Sequence, residues 1–216
     1  MLKKTDIAAI RTEYEMGQLN EDEVVSDPIK QFLVWFDEAV EKRVMEPSAM
    51  TLSTVSVSGR PSSRIVLLKK VDTSGFGFFT NYESRKGREL SENPSAALLF
   101  FWPELQRQVR VTGSVKKMDP ALSDSYFQSR PKASQLGAIV SPQSCEIENR
   151  SVLDEAYATL EEQYKDMDAV PRPVHWGGYW LVPEAVEFWQ GRNGRLHDRL
   201  LYVKYCNGWK ISRLAP

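Results

Sequence analysis

The chain has 216 residues, of which 42% are hydrophobic and 26% are charged, a composition typical of one globular domain. Its 28 lysines and arginines nearly balance 29 aspartates and glutamates, which argues against a global field for nucleic acid or anionic membranes. Cys145 and Cys206 form no CxxC pair and are expected to be free thiols, and His175 and His197 lack clustered partners, so no metal site is predicted.

The N-terminal segment, MLKKTDIAAIRTEYEMGQLNEDE, lacks the apolar stretch and cleavage site of a secretory signal, so we expect a soluble cytosolic protein. Residues 5–17 have the periodicity of a short amphipathic helix. A second helix is predicted to begin with Asp27 as N-cap and Pro28 at the first helical position. Its apolar residues then recur at helical spacing: Ile29, Phe32, Leu33, Phe36 and Val40.

From Met50 the apolar period changes to two, which predicts a series of strands. Turn-prone SGRP, DTSG and ENP separate several of the segments TLSTVSV, SRIVLLKKV, GFGFFT, SAALLFFW and LQRQVRVTGSV. Asp119 and Pro120 open a helical stretch, SVLDEAYATLEEQYKDM is amphipathic, and strands resume through YWLVPEAVEFWQ and RLLYVKY. The sequence therefore predicts one α+β domain, residues 1–216, built on an antiparallel β-barrel.

The segment SRIVLLKK places Arg64 and Lys69 within an otherwise apolar strand. Their odd separation sends them to opposite faces, so they cannot share a pocket unless the strand has a bulge or the site wraps around it. This favours two separate anion sites. The alternative is a strand that begins and ends at the surface.

In TNYESRKGREL, a strand leads into a helix whose first turn holds Arg85 and Lys86 behind Ser84. Cations are disfavoured at the positive end of a helix dipole. A bound phosphate would remove that conflict, because exposed N–H groups and basic side chains could share one anion. The alternative is a surface helix whose basic side chains extend into solvent.

The segment SYFQSRPKASQ separates Tyr126, Arg130 and Ser134 by four residues each, which on one continuous helix would align them as a phosphate cradle. Pro131 is predicted to break that helix, so the alignment is only partial. An ordinary helix followed by a loop explains the same spacing.

The sharpest local signal is GRNGRLHDRL. If residues 195–199 are extended, Arg195, His197 and Arg199 point to one face, where an anion or an electron-rich ring would relieve their repulsion. The alternative is a solvated edge strand in which Asp198 offers a partner. The two glycines in this segment favour a site.

The chain has no GxSxG elbow, no GxxxxGK[ST] loop and no GxGxxG after a strand, so a serine hydrolase, a P-loop enzyme and a Rossmann dehydrogenase have no support.

Seven segments in order resemble the pyridoxamine 5'-phosphate oxidase family: RIVLLKK, FFTNYESRKG, RQVRVTG, SYFQSRP, SQLGAIVSPQS, EFWQGRNGRLHDR and the closing RLAP. The resemblance runs from about Ala49 to Pro216 and more weakly through the N-terminal segment. It implies an α+β split β-barrel that forms a homodimer, with FMN at the subunit interface and residues 171–216 completing the dimeric active site.

The resemblance also implies which residues bind each ligand. FMN would be held by Arg64, Ile65, Val66, Leu67, Leu68, Lys69, Phe79, Thr80, Arg85, Lys86, Gln108, Gln143, Ser144, Trp189 and Arg199. The substrate would meet Arg11, Tyr14, Lys69, Tyr126, Arg130, Ser134, Arg195 and His197, with Arg195 and His197 as the catalytic pair. Arg11 and Tyr14 would belong to an N-terminal helical lid within residues 1–20. Phe79 stands where many relatives have tyrosine, so a hydroxyl contact to the flavin is lost there.

The resemblance implies oxidation of pyridoxamine or pyridoxine 5'-phosphate by O₂ to pyridoxal 5'-phosphate, with H₂O₂ as second product and NH₃ released from the amine. Because a fold does not fix a function, two alternatives stay open. One is a non-catalytic binder of flavin or B6 vitamers. The other is an oxidase of the same fold that acts on another heteroaromatic compound, such as a phenazine precursor.

Overall fold

The computed structural model describes residues 13–216, which form five α-helices and nine strands. In chain order they are α1 (Pro28–Glu41), β1 (Ala49–Val55), β2 (Pro61–Leu67), β3 (Lys70–Asp72), β4 (Gly75–Asn81), α2 (Arg85–Glu92), β5 (Ser95–Trp102), β6 (Arg107–Lys117), α3 (Pro120–Ser129), α4 (Lys132–Val140), α5 (Ser151–Gln163), β7 (Trp176–Gln190), β8 (Asp198–Tyr205) and β9 (Gly208–Arg213). None of the helices within residues 13–216 is long and apolar enough to cross a membrane.

The strands pair in one sheet with the order β2-β1-β5-β6-β7-β4-β3, and β8 pairs with both β7 and β9. The pairs β1–β2, β3–β4, β4–β7, β7–β8 and β8–β9 are all antiparallel. The first part of the long strand β7 pairs with β4, and its last six residues pair with β8. The strand-rich α+β architecture predicted from the sequence is therefore confirmed.

The chain divides into two compact units, and the larger one, unit 2, comprises residues 48–98 and 112–184. Its interior includes Leu52, Phe76 and Phe78, which are fully buried on β1 and β4. A second cluster in the same unit surrounds Phe127 and Trp176 and is covered partly by α5. The β3–β4 turn requires glycine at Gly75, where φ is +118° and a Cβ would lie 2.0 Å from the Leu181 carbonyl oxygen.

Unit 1 comprises residues 13–47, 99–111 and 185–216 of the described chain. Helix α1 buries aromatic side chains here, with Phe32 4.8 Å from Phe100 and Trp35 5.1 Å from Phe188, measured between ring centroids. The predicted start of this helix is confirmed, since the Asp27 carboxylate accepts hydrogen bonds from the amides at N2 and N3.

One local prediction is wrong, and the condition on which another depends is not met. Residues 13–17 are not helical, although the sequence predicts a helix over residues 5–17. The amides of Glu15 and Met16 donate to the Gln106 side chain, and residues 5–12 lie outside the described chain. Residues 195–197 are not extended, because a single helical turn with Gly194 and Arg195 at φ of about +60° precedes β8.

Candidate active site

A cavity of about 530 Å³ in unit 2 gathers most of the predicted cofactor and phosphate ligands. Four cationic side chains line it, those of Arg64, Lys69, Lys86 and Arg130, and none of the described lining residues is acidic. The remaining lining residues are polar or apolar: Ile65, Val66, Leu67, Phe79, Thr80, Tyr126, Pro131, Ser134, Gln143 and Trp176. Such a cavity suits an anion that carries a flat ring.

Arg64 and Lys69 both line this one cavity, so the expectation that they point to opposite strand faces and cannot share a pocket is wrong. Strand β2 ends at Leu67. The amide of the next residue, the buried Leu68, donates to the Ser48 carbonyl, which lies just before the first residue of β1. The Lys69 amide then donates to the Gly77 carbonyl, 2.8 Å away. The strict alternation of a single strand does not extend across this break.

The Arg64 guanidinium is held by acceptors of the protein itself. Its Nη1 donates to the Leu52 carbonyl (3.1 Å) and to Thr54 Oγ1 (2.6 Å), and its Nη2 donates to Ser62 Oγ (2.5 Å) and Glu89 Oε2 (3.4 Å). Burial lowers the pKa of Arg64, and the charge of Glu89 opposes that effect. The guanidinium is therefore fixed in position, and its Nε–H has no acceptor within residues 13–216 and can donate to a further one.

Glu89, on α2, is the buried acceptor behind this arginine. It accepts hydrogen bonds from Thr54 (2.5 Å), Ser62 (2.6 Å) and Arg85 Nε (2.9 Å). Burial alone would raise the pKa of Glu89, but these hydrogen bonds outweigh burial and bring it to about 2. Glu89 is thus ionised and orients Arg64 and Arg85. Arg85 is mostly exposed and is not among the residues that line the cavity.

The predicted α2 start is confirmed, with Ser84 as N-cap accepting from the Gly87 amide. A Cβ at Gly87 would lie 2.1 Å from the Tyr82 carbonyl oxygen, so the turn into the helix packs tightly. Lys86 Nζ donates to Gln143 Oε1 (2.6 Å), Thr80 Oγ1 (3.1 Å) and Ser84 Oγ (3.3 Å). Burial, followed by the charge of Arg64, lowers the pKa of Lys86 to about 8.

Arg130 lies between α3 and α4, where Pro131 breaks the helix as predicted. Gln135 Nε2 donates to three carbonyls at this break, those of Phe127, Gln128 and Arg130. Arg130 Nη1 is buried and has no hydrogen-bond partner within residues 13–216. Burial lowers the pKa of this guanidinium. An unpaired buried guanidinium nitrogen is costly, and an anion in the cavity would supply its missing acceptor.

Three aromatic rings stack along the same cavity. The Phe79 and Tyr126 centroids are 3.9 Å apart at an interplanar angle of 18°, and Trp176 lies 5.5 Å from Phe79 at 11°. The Arg130 guanidinium lies 4.7 Å from the Trp176 ring centroid. These contacts bring Tyr126 and Arg130 together, and the same cavity is also lined by Ser134.

A second group of predicted site residues lies in unit 1. His197 packs 4.7 Å from Trp189, and Tyr14 meets both rings edge-on at 5.7 and 5.8 Å between centroids. Gln106 Oε1 accepts from the amides of residues 15 and 16 and thereby fixes the segment that carries Tyr14. Gly191 leaves room for Tyr14, since a Cβ there would lie 2.9 Å from that side chain.

Arg199 is bound by a second buried glutamate, Glu187 on β7. Its Nε and Nη2 donate to the two carboxylate oxygens at 3.0 and 3.1 Å, and its Nη1 donates to the Ala215 carbonyl. Arg110 Nη1 also donates to Glu187, at 3.2 Å. The hydrogen bonds to Glu187 raise the pKa of Arg199. The guanidinium is therefore fixed, as Arg64 is in unit 2.

Other predicted residues make fewer contacts. Arg195 is exposed and Gln108 is half-buried on β6, whereas Ser144 is exposed at a φ of +73°. Arg11 lies outside the described residues. Cys145 and Cys206 are free thiols, as predicted, and both are exposed.

Sequence reasoning missed four residues that shape these sites: Glu89, Gln135, Trp176 and Glu187. A carboxylate in a strand as apolar as AVEFWQ is a signal that could have revealed Glu187, because a buried acid needs a partner. Glu89 follows Arg85 by four residues, which is the spacing of a helical ion pair. Gln135 and Trp176 have no comparable signal.

Comparison with known proteins gives two family matches. Residues 36–164 match the model described as pyridoxamine 5'-phosphate oxidase, and residues 176–216 match the pyridoxine 5'-phosphate oxidase C-terminal dimerisation region. A pyridoxine/pyridoxamine 5'-phosphate oxidase of Cupriavidus pinatubonensis is 55% identical, with 98% of this chain and 100% of the relative covered. The Cyanothece protein of the same name is 53% identical over 97% of this chain and 98% of the relative.

Two solved structures are similar to the chain. PhzG from Burkholderia lata, in complex with tetrahydrophenazine-1-carboxylic acid, superposes with a TM-score of 0.86 at 34% identity, over 92% of this chain and 98% of PhzG. A pyridoxamine 5'-phosphate oxidase-related, FMN-binding protein from Nostoc punctiforme gives 0.69 at 17% identity, over 88% and 97%. The second likeness concerns the fold alone, and it confirms the split β-barrel predicted from the sequence.

Proposed function

The chain belongs to the pyridoxamine 5'-phosphate oxidase family, and from that premise we propose that it oxidises pyridoxamine and pyridoxine 5'-phosphate to pyridoxal 5'-phosphate. Oxygen is the acceptor and becomes H₂O₂. The alcohol yields the aldehyde directly, whereas the amine consumes one water and releases NH₃. The family consists of flavoproteins of B6 metabolism. We propose that this chain catalyses its reaction in the cytoplasm.

The observation that carries the proposal is the charge of the unit 2 cavity. Arg64, Lys69, Lys86 and Arg130 line it, and no acidic side chain of the described chain does so. Both proposed ligands, FMN and the vitamer, combine a flat heteroaromatic ring with a phosphate. Guanidinium and ammonium groups suit the phosphates, and the aromatic stack suits the rings.

The residues present fit FMN. Lys86 and Thr80 converge on one oxygen acceptor, Gln143 Oε1, which shows that both can donate to a single oxygen. We assign the flavin phosphate to Arg64, Arg85 and Lys86, and the remaining contacts to the β2 segment, Phe79, Thr80, Gln108, Gln143, Ser144, Trp189 and Arg199. When bound, FMN accepts two electrons from the substrate and passes them to oxygen.

We assign the substrate phosphate to Lys69, Tyr126, Arg130 and Ser134, all of which line the unit 2 cavity. The unpaired Nη1 of Arg130 is the strongest single indication of an anion there. Arg195 and His197 orient the ring of the vitamer, and Tyr14 covers it together with Arg11. The match to a C-terminal dimerisation region supports a homodimer, and we propose that the cofactor binds at its subunit interface.

A second candidate is favoured by the similarity to PhzG, whose structure contains tetrahydrophenazine-1-carboxylic acid. By its name, that ligand carries a carboxylate and no phosphate. A cavity with four cations is better matched to phosphates than to one carboxylate, which is why we rank B6 vitamers first. A non-catalytic flavin or vitamer binder is the third candidate, and turnover distinguishes it.

The decisive experiment mixes the FMN-loaded protein anaerobically with pyridoxine 5'-phosphate while the flavin spectrum is followed. We expect bleaching, recovery of the yellow colour when air is admitted, and equal amounts of pyridoxal 5'-phosphate and H₂O₂. Unphosphorylated pyridoxine should bleach the flavin far more slowly. Bleaching by tetrahydrophenazine-1-carboxylic acid but not by the vitamer would identify the second candidate, and binding without bleaching would identify the third.

A further inference from the structure

The loop between β7 and β8 folds back on itself, and its backbone forms a hydrogen bond with the His197 side chain. The Arg192 amide donates a hydrogen bond to His197 Nδ1, with 3.1 Å between the two nitrogens. A single turn at Asn193–Arg195 reverses the chain between them. The loop is closed by an ion pair, in which Arg192 Nη1 lies 2.9 Å from Asp198 Oδ2.

This hydrogen bond has only one possible direction. A backbone amide donates and cannot accept, so Nδ1 must present its lone pair. A proton on Nδ1 would place two N–H groups head to head. The neutral ring must therefore carry its proton on Nε2, and Nε2 has no protein acceptor within residues 13–216.

The surroundings also disfavour the doubly protonated ring. His197 packs against the rings of Trp189 and Tyr14, and burial together with the charge of Arg195 lowers the pKa of His197. The nearest carboxylate in sequence, Asp198, is already engaged.

The partners of Asp198 show how fully it is engaged. It accepts hydrogen bonds from the side chains of Arg192 and Arg213 and from the Leu19 amide. It is therefore neutralised by two guanidiniums and offers no free charge to stabilise an imidazolium.

We propose that His197 is locked as the neutral tautomer with its proton on Nε2, and that it acts on the substrate as a fixed hydrogen-bond donor and not as a proton acceptor. Its Nε2 already carries a proton, and its Nδ1 is blocked by the Arg192 amide. The role toward a substrate rests on the proposed function, whereas the tautomer does not. The natural partner of Nε2–H is an acceptor atom on the ring of the vitamer.

The tautomer can be read directly by long-range ¹H–¹⁵N correlation on the FMN-loaded protein labelled with ¹⁵N-histidine. The chain has two histidines, so the His175→Gln variant assigns every remaining signal to His197. From pH 6 to 8 we expect Nδ1 to resonate as an unprotonated nitrogen and Nε2 as a protonated one. A proton on Nδ1, or protons on both nitrogens at pH 7, would overturn the proposal.

The donor role is tested by the His197→Gln variant, whose amide nitrogen reaches the place of Nε2, compared with His197→Leu. Single-turnover flavin bleaching is measured from pH 5.5 to 8.5, because it remains measurable when rates are low. We expect Gln to retain at least tenfold more rate than Leu, with the same pH profile as the parent. Loss of an acid limb in the Gln variant would show that His197 accepts a proton. If no vitamer bleaches the flavin, the proposed function fails while the tautomer measurement still stands.

Discussion

Two buried glutamates, one in each unit, each hold two arginines, yet they do so in different electrostatic settings. Glu89 and Glu187 both have side chains that are 8% exposed. Behind the unit 2 cavity, Glu89 shares its oxygens between hydroxyls and arginines. In unit 1, Glu187 engages Arg199 through both oxygens, in the forked geometry that fixes a guanidinium most tightly.

The two regions differ in how much positive charge remains without a carboxylate partner. In unit 2 four cations line the cavity and Glu89 lies behind them, so the lining keeps an excess of positive charge. In unit 1 the four arginines Arg110, Arg199, Arg192 and Arg213 are each paired with Glu187 or Asp198, whereas Lys69, Lys86 and Arg130 of the unit 2 cavity have no carboxylate partner within residues 13–216. The two regions are therefore suited to different tasks, holding phosphates in one and directing neutral hydrogen bonds in the other.

The largest expected effect comes from removing either carboxylate. Glu89→Leu and Glu187→Leu should each lower the free energy of unfolding by about 3 kcal/mol, because each leaves partly buried guanidiniums without a counter-charge. Urea unfolding of the FMN-free protein, followed by tryptophan fluorescence, measures this loss. The exposed pair Arg150–Asp154 supplies the control, and Asp154→Leu should change the stability by less than about 0.5 kcal/mol.

Inorganic phosphate sharpens the contrast between these two variants. It should restore more stability to Glu89→Leu than to Glu187→Leu, because only the unit 2 arginine lines a cavity with excess positive charge. Equal recovery in both variants would contradict an excess of positive charge in unit 2.

The next effect concerns Arg130. Arg130→Met keeps an unbranched apolar side chain but removes the guanidinium and its charge, and it should raise KM for pyridoxine 5'-phosphate roughly 10- to 100-fold, since a charge-assisted hydrogen bond contributes about 1.5 to 3 kcal/mol. The flavin content should stay unchanged. Steady-state kinetics and the flavin absorbance check both statements. Arg88→Met, which alters an exposed arginine on α2, should change neither quantity.

The sequence predicts those parts of the site that depend on local signals. The starts of α1 and α2 and the break at Pro131 are each specified by residues within one turn, and all three are confirmed. The shared cavity of Arg64 and Lys69 was not predicted, because β2 ends through hydrogen bonds to Ser48 and Gly77, which only the folded sheet supplies. Long-range contacts decided each error of this kind.

The loop before β8 illustrates the same limit. Alternation predicts that Arg195, His197 and Arg199 share one face, but the positive φ at Gly194 and Arg195 turns the chain before the strand begins. Gly194 is apparent in the sequence, whereas the hydrogen bond from the Arg192 amide to His197 Nδ1 is seen only in the structure. The resemblance identified the residues, and the structure was needed to show how they are held.

The pH dependence of FMN affinity should separate the two regions further. The pKa of Lys86 is lowered to about 8, so in the flavin-free protein this side chain is charged below pH 8 and neutral above it. A bound phosphate favours the charged form, and binding above pH 8 must therefore take up a proton. The FMN dissociation constant should rise by only about twofold between pH 7 and 8 and then by up to about tenfold per pH unit at higher pH.

Fluorescence titration with FMN from pH 7 to 9.5 measures this dependence. Lys86→Met should bind more weakly at pH 7 and lose the rise above pH 8. No such change is expected from Arg199, because its pKa is raised by its hydrogen bonds to Glu187 and it stays charged throughout the range. A rise that persists in Lys86→Met would assign the titration to another group.

The smallest expected effect tests whether the cations or the aromatic rings of unit 2 contribute more to FMN binding. Phe79→Tyr adds a hydroxyl to a ring that stacks 3.9 Å from Tyr126, and the stack itself should survive. One neutral hydrogen bond contributes about 1 kcal/mol, so the FMN dissociation constant should fall by no more than about fivefold. Equilibrium titration measures it, with Phe79→Leu as the variant that loses the stack. A gain of a hundredfold would mean that the hydroxyl outweighs the cations, and the excess charge of the cavity would no longer explain how the flavin is held.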